Sequence, residues 1–163
     1  MSPSEAQIDK LCGIFKESFL IVGLGSPLRG DDQAGLLVCE ELQSRGVECV
    51  KCEYGLENCT DYVMAKKPRA LIMLDAALFE NGCPGDIVVA DEGAIAEGNI
   101  TISTHSIPLR VVLSALKSER AFEKAFLIGI YPDRLDLSLD VSSAVLTSVN
   151  KLADYISACV KGP

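Results

Sequence analysis

An apolar run from Phe19 to Val22 passes directly into GLGSPLRGDDQAG, Gly23 to Gly35, and then into a helical pattern. A strand that empties into glycines and restarts as a helix is the opening unit of an open α/β sheet. It also marks the C-terminal edge of that sheet, where ligands of such folds bind. Gly23 and Gly25 permit a tight turn and close backbone approach, and Gly35 lets the next helix pack closely. The glycine spacing G-x-G-x-x-x-x-G departs by two residues from a dinucleotide fingerprint, although Glu53 falls near the place of a ribose-binding acid. Asp31 and Asp32 sit where the helix begins. Phosphates bind at helix N-termini through free N–H groups. Two carboxylates satisfy those groups and repel a phosphate. The loop is therefore read as holding carboxylates that grip a cation.

The remaining chain continues the alternation. Ser4 to Lys16 is an amphipathic helix with Ile8, Leu11, Cys12 and Phe15 on one face. Asp31 or Asp32 caps a helix running to about Arg45, stopped by Gly46. Val47 to Glu53 is the second strand, and Leu56 to Lys66 a helix ended by Pro68. Ala70 to Asp75 is a buried third strand, Asp86 to Ala90 a fourth at the edge, and Ala125 to Ile130 the fifth. Asp91 to Ser103 reads as irregular, with one short helical turn. Ile107 to Lys117 and Val141 to Val160 are helices separated by the fifth strand and the loop Tyr131 to Leu139. The pattern predicts a three-layer α/β/α sandwich with a mostly parallel five-stranded sheet. With 163 residues the chain is expected to be a single domain spanning 1–163, residues 1–17 forming an extra N-terminal helix.

A net charge of −8 argues against nucleic acid as a partner, since phosphate recognition requires clustered Lys and Arg. No apolar run approaches the roughly 20 residues that span a bilayer, and the N-terminus lacks the features of a signal peptide. A cytoplasmic monomer is expected. The seven cysteines are then expected to be free thiols in a reducing compartment. Cys49 and Cys52 form a C-x-x-C, but on a strand that separation puts them on opposite faces. They are read as small buried side chains and not as metal ligands.

Three chemically useful groups converge on the predicted sheet edge. Asp32 follows the first strand, Asp75 ends the third, and His105 sits in the polar turn STHSIPL before a helix. His105 is the only histidine of the chain. Two carboxylates and one imidazole form an open site for zinc, nickel or a similar divalent ion. Each residue also has a plainer reading: a helix cap for Asp32, loop amides for Asp75, a solvated surface position for His105. Asp133, Arg134 and Asp136 lie on the same edge, either lining the cleft or as solvated loop residues. No G-x-S-x-G elbow or local cysteine–histidine arrangement supplies a protease nucleophile.

These residues resemble those of the hydrogenase maturation endopeptidases. GLGSPLRGDDQAG is similar to that family's G-x-G-N-x-L-x-x-D-[DE]-x-x-G, with Ser26 in place of the usual Asn. The strand LIMLDA, the turn STHSIPL, the stretch EYGLENC with Gly55, and LIGIYPDRLDLSLDVSSAV extend the likeness over nearly the whole chain from Phe19 onward. The helix from Ser4 to Lys16 precedes the usual family start. The resemblance implies an endopeptidase that removes the C-terminal extension of a nickel–iron hydrogenase large-subunit precursor after nickel insertion. It places the family's metal ligands, which are its catalytic residues, on Asp32, Asp75 and His105. The divalent metal is then nickel supplied by the precursor, with zinc or cadmium able to substitute in vitro. The alternatives are a nucleotide-binding α/β enzyme, a non-catalytic metal-binding maturation factor, and a metallohydrolase holding its own zinc.

Overall fold

A computed structural model describes residues 11–102 and 107–162. The elements run β1 (Phe19–Gly25), a 3-10 turn (Gly30–Gln33), α1 (Ala34–Ser44), β2 (Val50–Glu53), a 3-10 turn (Leu56–Cys59) and α2 (Thr60–Lys66). Then come β3 (Ala70–Phe79), β4 (Ile87–Asp91), α3 (Glu92–Glu97), β5 (Ile100–Ile102), α4 (Leu109–Ser118), β6 (Lys124–Ile130) and α5 (Ser143–Lys161). Residues 11–14 are helical, in keeping with the end of the expected N-terminal helix. The earlier part of that helix, including Ile8, lies outside the described residues.

The strands form one sheet of order β2-β1-β3-β6-β4, and β5 adds to the far end of β3. β2, β1, β3 and β6 are mutually parallel. The expected mostly parallel sheet is present with six strands instead of five. β3 continues four residues beyond Asp75, and its extension pairs antiparallel with Ile100–Ile102. β4 is the edge strand predicted from the sequence, and it runs antiparallel to β6. The short connection after Phe79 explains the direction, because a parallel crossover needs about a dozen residues or more.

Alternation along the strands divides the core in two. Ile21, Ile72, Leu74, Ile128 and Ile130 face one layer, where they meet Val38 and Leu42 of α1 and Val145, Val149, Leu152 and Ile156 of α5. Leu20, Val22, Leu71, Met73 and Leu127 face the other, against Val63 of α2, Ile95 of α3, and Val112, Leu113 and Leu116 of α4. Strands covered on both faces need continuous apolar sequence, which is what β1, β3 and β6 carry. α1 comes so close to the sheet that a Cβ on Gly35 would collide with the Leu74 carbonyl oxygen and stand 2.5 Å from that of Leu24.

The cysteines overturn the expectation of free thiols. Cys12 is bonded to Cys159, Cys39 to Cys49 and Cys52 to Cys59, while Cys83 is free and exposed. Cys49 and Cys52 do lie on opposite sides of the sheet, one in each core layer. That separation sends each to a different partner, so C-x-x-C spacing gives no hint of the pairing. Among the described residues no helix is long and apolar enough to cross a membrane.

Candidate functional site

The C-terminal end of β1, Gly25, lies beside the middle of β3. This residue has φ +138°, a backbone conformation open to glycine and strained for other residues. A Cβ there would strike the carbonyl oxygen of Asp32 and come within 3.7 Å of Asp75 Oδ1. The Asp32 backbone and the Asp75 carboxylate thus both lie beside Gly25. Both residues are buried, at 0% and 1% exposure. The Ser26 backbone N–H donates to Asp32 Oδ2 at 3.0 Å, and the Ala76 N–H donates to Asp75 Oδ1 at 2.8 Å. Ser26, where the resembling family has Asn, keeps a turn contact by accepting from the Leu28 N–H at 3.4 Å.

Asp75 does not end its strand as expected. It pairs with Gly129 of β6 and β3 runs on to Phe79. Register with β1 nonetheless stops at Leu74, opposite Gly23, so Asp75 begins the part of β3 that no longer pairs with β1.

His105 lies outside the described residues. Its neighbours on either side are placed: Ile102 pairs with Ala77, two residues past Asp75, and α4 begins at Leu109. Among the described residues no group of three or more His, Cys, Asp or Glu side chains gathers as a metal site.

Asp31 departs from its expected role. No side-chain bond caps either the 3-10 turn or α1. Instead the Asp31 carboxylate, at 0% exposure, accepts from the backbone N–H groups of Asp133 (2.7 Å), Arg134 (3.0 Å) and Ser142 (2.7 Å), and from the Ser142 hydroxyl (2.7 Å). Its own N–H donates to the Arg134 carbonyl at 2.9 Å. Burial pushes the Asp31 pKa up, but the bonds from Ser142, Arg134 and Asp133 outweigh it and hold the carboxyl below its ordinary value. The loop after β6 thus joins the site through its backbone. Its side-chain charges turn outward, with Arg134 and Asp136 forming an exposed pair at 2.8 Å. Sequence reasoning missed this role of Asp31, and the only local signal is the doubled aspartate itself.

Comparison with known proteins places the chain by family and fold. The HycI hydrogenase maturation protease family model matches residues 54–158. The chain is 27% identical over 150 residues to the hydrogenase 2 maturation protease of Escherichia coli, covering 87% of this chain and 90% of that one. The crystal structure of the NiFe hydrogenase maturation protease HycI from Thermococcus kodakarensis superposes with a TM-score of 0.80 at 29% identity, over 94% of this chain and 99% of that one. The maturating endopeptidase HybD of Escherichia coli shares the fold, with a TM-score of 0.74 at 23% identity over 88% and 92% of the two chains. A family match over more than half of the chain, on this fold, makes the protein a peptidase of the hydrogenase maturation protease family.

Proposed function

We propose that this peptidase removes the C-terminal extension of a nickel–iron hydrogenase large-subunit precursor, and that it recognises the precursor by its inserted nickel. The observation that carries this reading is that two buried acidic residues flank Gly25: the Asp32 backbone carbonyl fills the place of its missing side chain, and Asp75 Oδ1 would lie 3.7 Å from a Cβ there. Buried acids close to one another repel and lose hydration. A divalent cation between them relieves both costs, and the precursor brings one. Carboxylate oxygens and a neutral imidazole are suitable ligands for such an ion. His105 is the proposed third ligand. Three residues of extended chain reach at most about 10 Å, and His105 follows Ile102, which pairs two residues past Asp75, by that number.

In this scheme Asp32, Asp75 and His105 complete the coordination of substrate nickel and align the scissile peptide beside it. A precursor without nickel has no bridge to the site and is passed over. Held by these residues, the ion would supply Lewis-acid polarisation of a neighbouring carbonyl. Zinc or cadmium added in vitro is expected to engage the same ligands. The enzyme is expected to work as a monomer.

The test is intact-mass analysis of nickel-loaded and nickel-free precursor after incubation with enzyme. Wild type should shorten the loaded form alone. Asp32→Ala, Asp75→Ala and His105→Ala should each leave it uncut. Full processing by any of the three removes that residue from the site, and cleavage of nickel-free precursor at the same rate ends the recognition scheme.

A further inference from the structure

We infer that Asp31 is a positioning residue for the cleavage reaction, acting through Asp32. The inference rests on the reading of Asp32 given above, and concerns what holds that carboxylate in place. Asp31 and Asp32 are consecutive residues of a 3-10 turn, so their side chains project about 120° apart. Fixing one sets the direction of the other.

Asp31 is fixed by four donors, all more than 100 residues away in sequence. They come from both ends of the loop between β6 and α5: Asp133 and Arg134 at its start, Ser142 at the N-terminus of α5. Two further backbone bonds extend the seam, from Gly30 N–H to the Ser138 carbonyl (2.8 Å) and from Ser138 N–H to the Leu28 carbonyl (2.9 Å). On its other side the turn is fixed by Gly25, whose missing Cβ leaves room for the Asp32 carbonyl, and by the Ser26 N–H on Asp32 Oδ2. Asp32 is therefore held between the end of β1 and a loop belonging to the far part of the chain.

The chemistry of the clasp suits this task. A local cap would have satisfied the turn, yet Asp31 reaches across to a distant loop and caps neither its own turn nor α1. Charge-assisted bonds to backbone donors are short and directional, and a buried carboxylate with four of them has little freedom. Ligands of an ion need placing to within about half an ångström, and the residues that orient them are worth roughly 10–100-fold in affinity or activity.

The experiment compares kcat and KM for nickel-loaded precursor at 25 °C, with thermal melts of the same samples. Asp31→Asn keeps the shape but puts an amide among N–H donors. It should lower kcat/KM by about 10–100-fold, chiefly by raising KM, because the site loses its grip on the substrate ion. Ser142→Ala removes one of the four bonds and should cost about two- to fivefold. Leu152→Ala is the stability control: it empties a buried position on α5 and should lower the melting temperature while leaving kcat/KM within twofold. A normal kcat/KM for Asp31→Asn, or an equal loss for Leu152→Ala, overturns the inference. If Asp31→Asn does not fold, Ser142→Ala decides by the same comparison, and a loss under twofold overturns it. Asp32→Ala in parallel separates the two readings. An inactive Asp32→Ala with a normal Asp31→Asn defeats the positioning role alone, whereas an active Asp32→Ala defeats the site itself and the positioning role with it.

Discussion

The carbonyl oxygen of Asp32 occupies the place where a side chain on Gly25 would begin. This contact locks the turn after β1 onto the strand that it leaves, and brings the Asp32 backbone beside the same glycine as the Asp75 carboxylate. Gly25→Ala therefore faces two penalties, a collision with backbone and a strained φ of +138°. Backbone cannot swing aside as a side-chain tip can. The expected cost is about 3 kcal/mol or more, a fall in melting temperature of roughly 6–12 °C. Cleavage should be impaired even at temperatures where the variant is folded. A thermal melt paired with the precursor assay checks both, and a stable, fully active Gly25→Ala would show that the turn is not held by this contact.

Asp31 gives stability a specific dependence on acid. Burial raises its pKa, the bonds from Ser142, Arg134 and Asp133 lower it further than that, and the net value lies below the ordinary 3.8. The folded chain therefore resists protonation at this residue more than the unfolded chain does. Its contribution to stability is complete above about pH 4, the unfolded value, and is lost as pH falls through the lower folded value. Melting temperatures of wild type and Asp31→Asn from pH 7 to pH 2.5 should differ by a constant amount down to about pH 5. The gap should narrow below about pH 4. A gap that stays constant to the acid limit would assign the effect to packing instead of charge.

The sheet, and the places of two of the proposed site residues on it, were legible in the sequence for one reason. Strands buried on both faces carry unbroken apolar runs, so FLIV, ALIML and AFLIGI announce β1, β3 and β6. Once the strands are placed, Asp32 in the turn after β1 and Asp75 in β3 are placed near the same edge. Features made by long-range contact were not legible. The three residues of β5 are a strand only because the extension of β3 lies beside them. Asp31 looked like a local cap because its four partners are at positions 133, 134 and 142. Cys12 and Cys159 are 147 residues apart, and nothing near either names the other.

Nickel dependence should appear as a property of the substrate and not of the enzyme. Dialysis of the peptidase against a strong chelator, followed by removal of the chelator, should leave cleavage of nickel-loaded precursor unchanged. Stripping nickel from the precursor should abolish it. Loss of activity on chelating the enzyme alone, restored by added zinc, would instead support a resident catalytic ion held by Asp32 and Asp75.

The three disulfides are expected to contribute unequally to stability. Cross-linking restricts the unfolded chain, and the restriction grows with the loop that is closed. Cys52 and Cys59 are 7 residues apart and Cys39 and Cys49 are 10 apart, whereas Cys12–Cys159 spans 147. Loop entropy assigns about 2–3 kcal/mol to each of the short links and about 5 kcal/mol to the long one. The long link also anchors the helical segment at residues 11–14, whose Leu11 and Ile14 belong to the core layer that α5 covers. Cys12→Ser should then lower the melting temperature by roughly 10–20 °C, and Cys52→Ser by about half as much. Cleavage at 25 °C should survive Cys12→Ser, because that disulfide joins the N-terminal helical segment to α5, while Asp32 and Asp75 sit in the turn after β1 and in β3. Melts of both variants with and without dithiothreitol check the order. Reductant should destabilise wild type more than either single variant, since each variant has already lost one link. Equal melting temperatures for wild type and Cys12→Ser under oxidising conditions would show that the long link adds nothing to the fold.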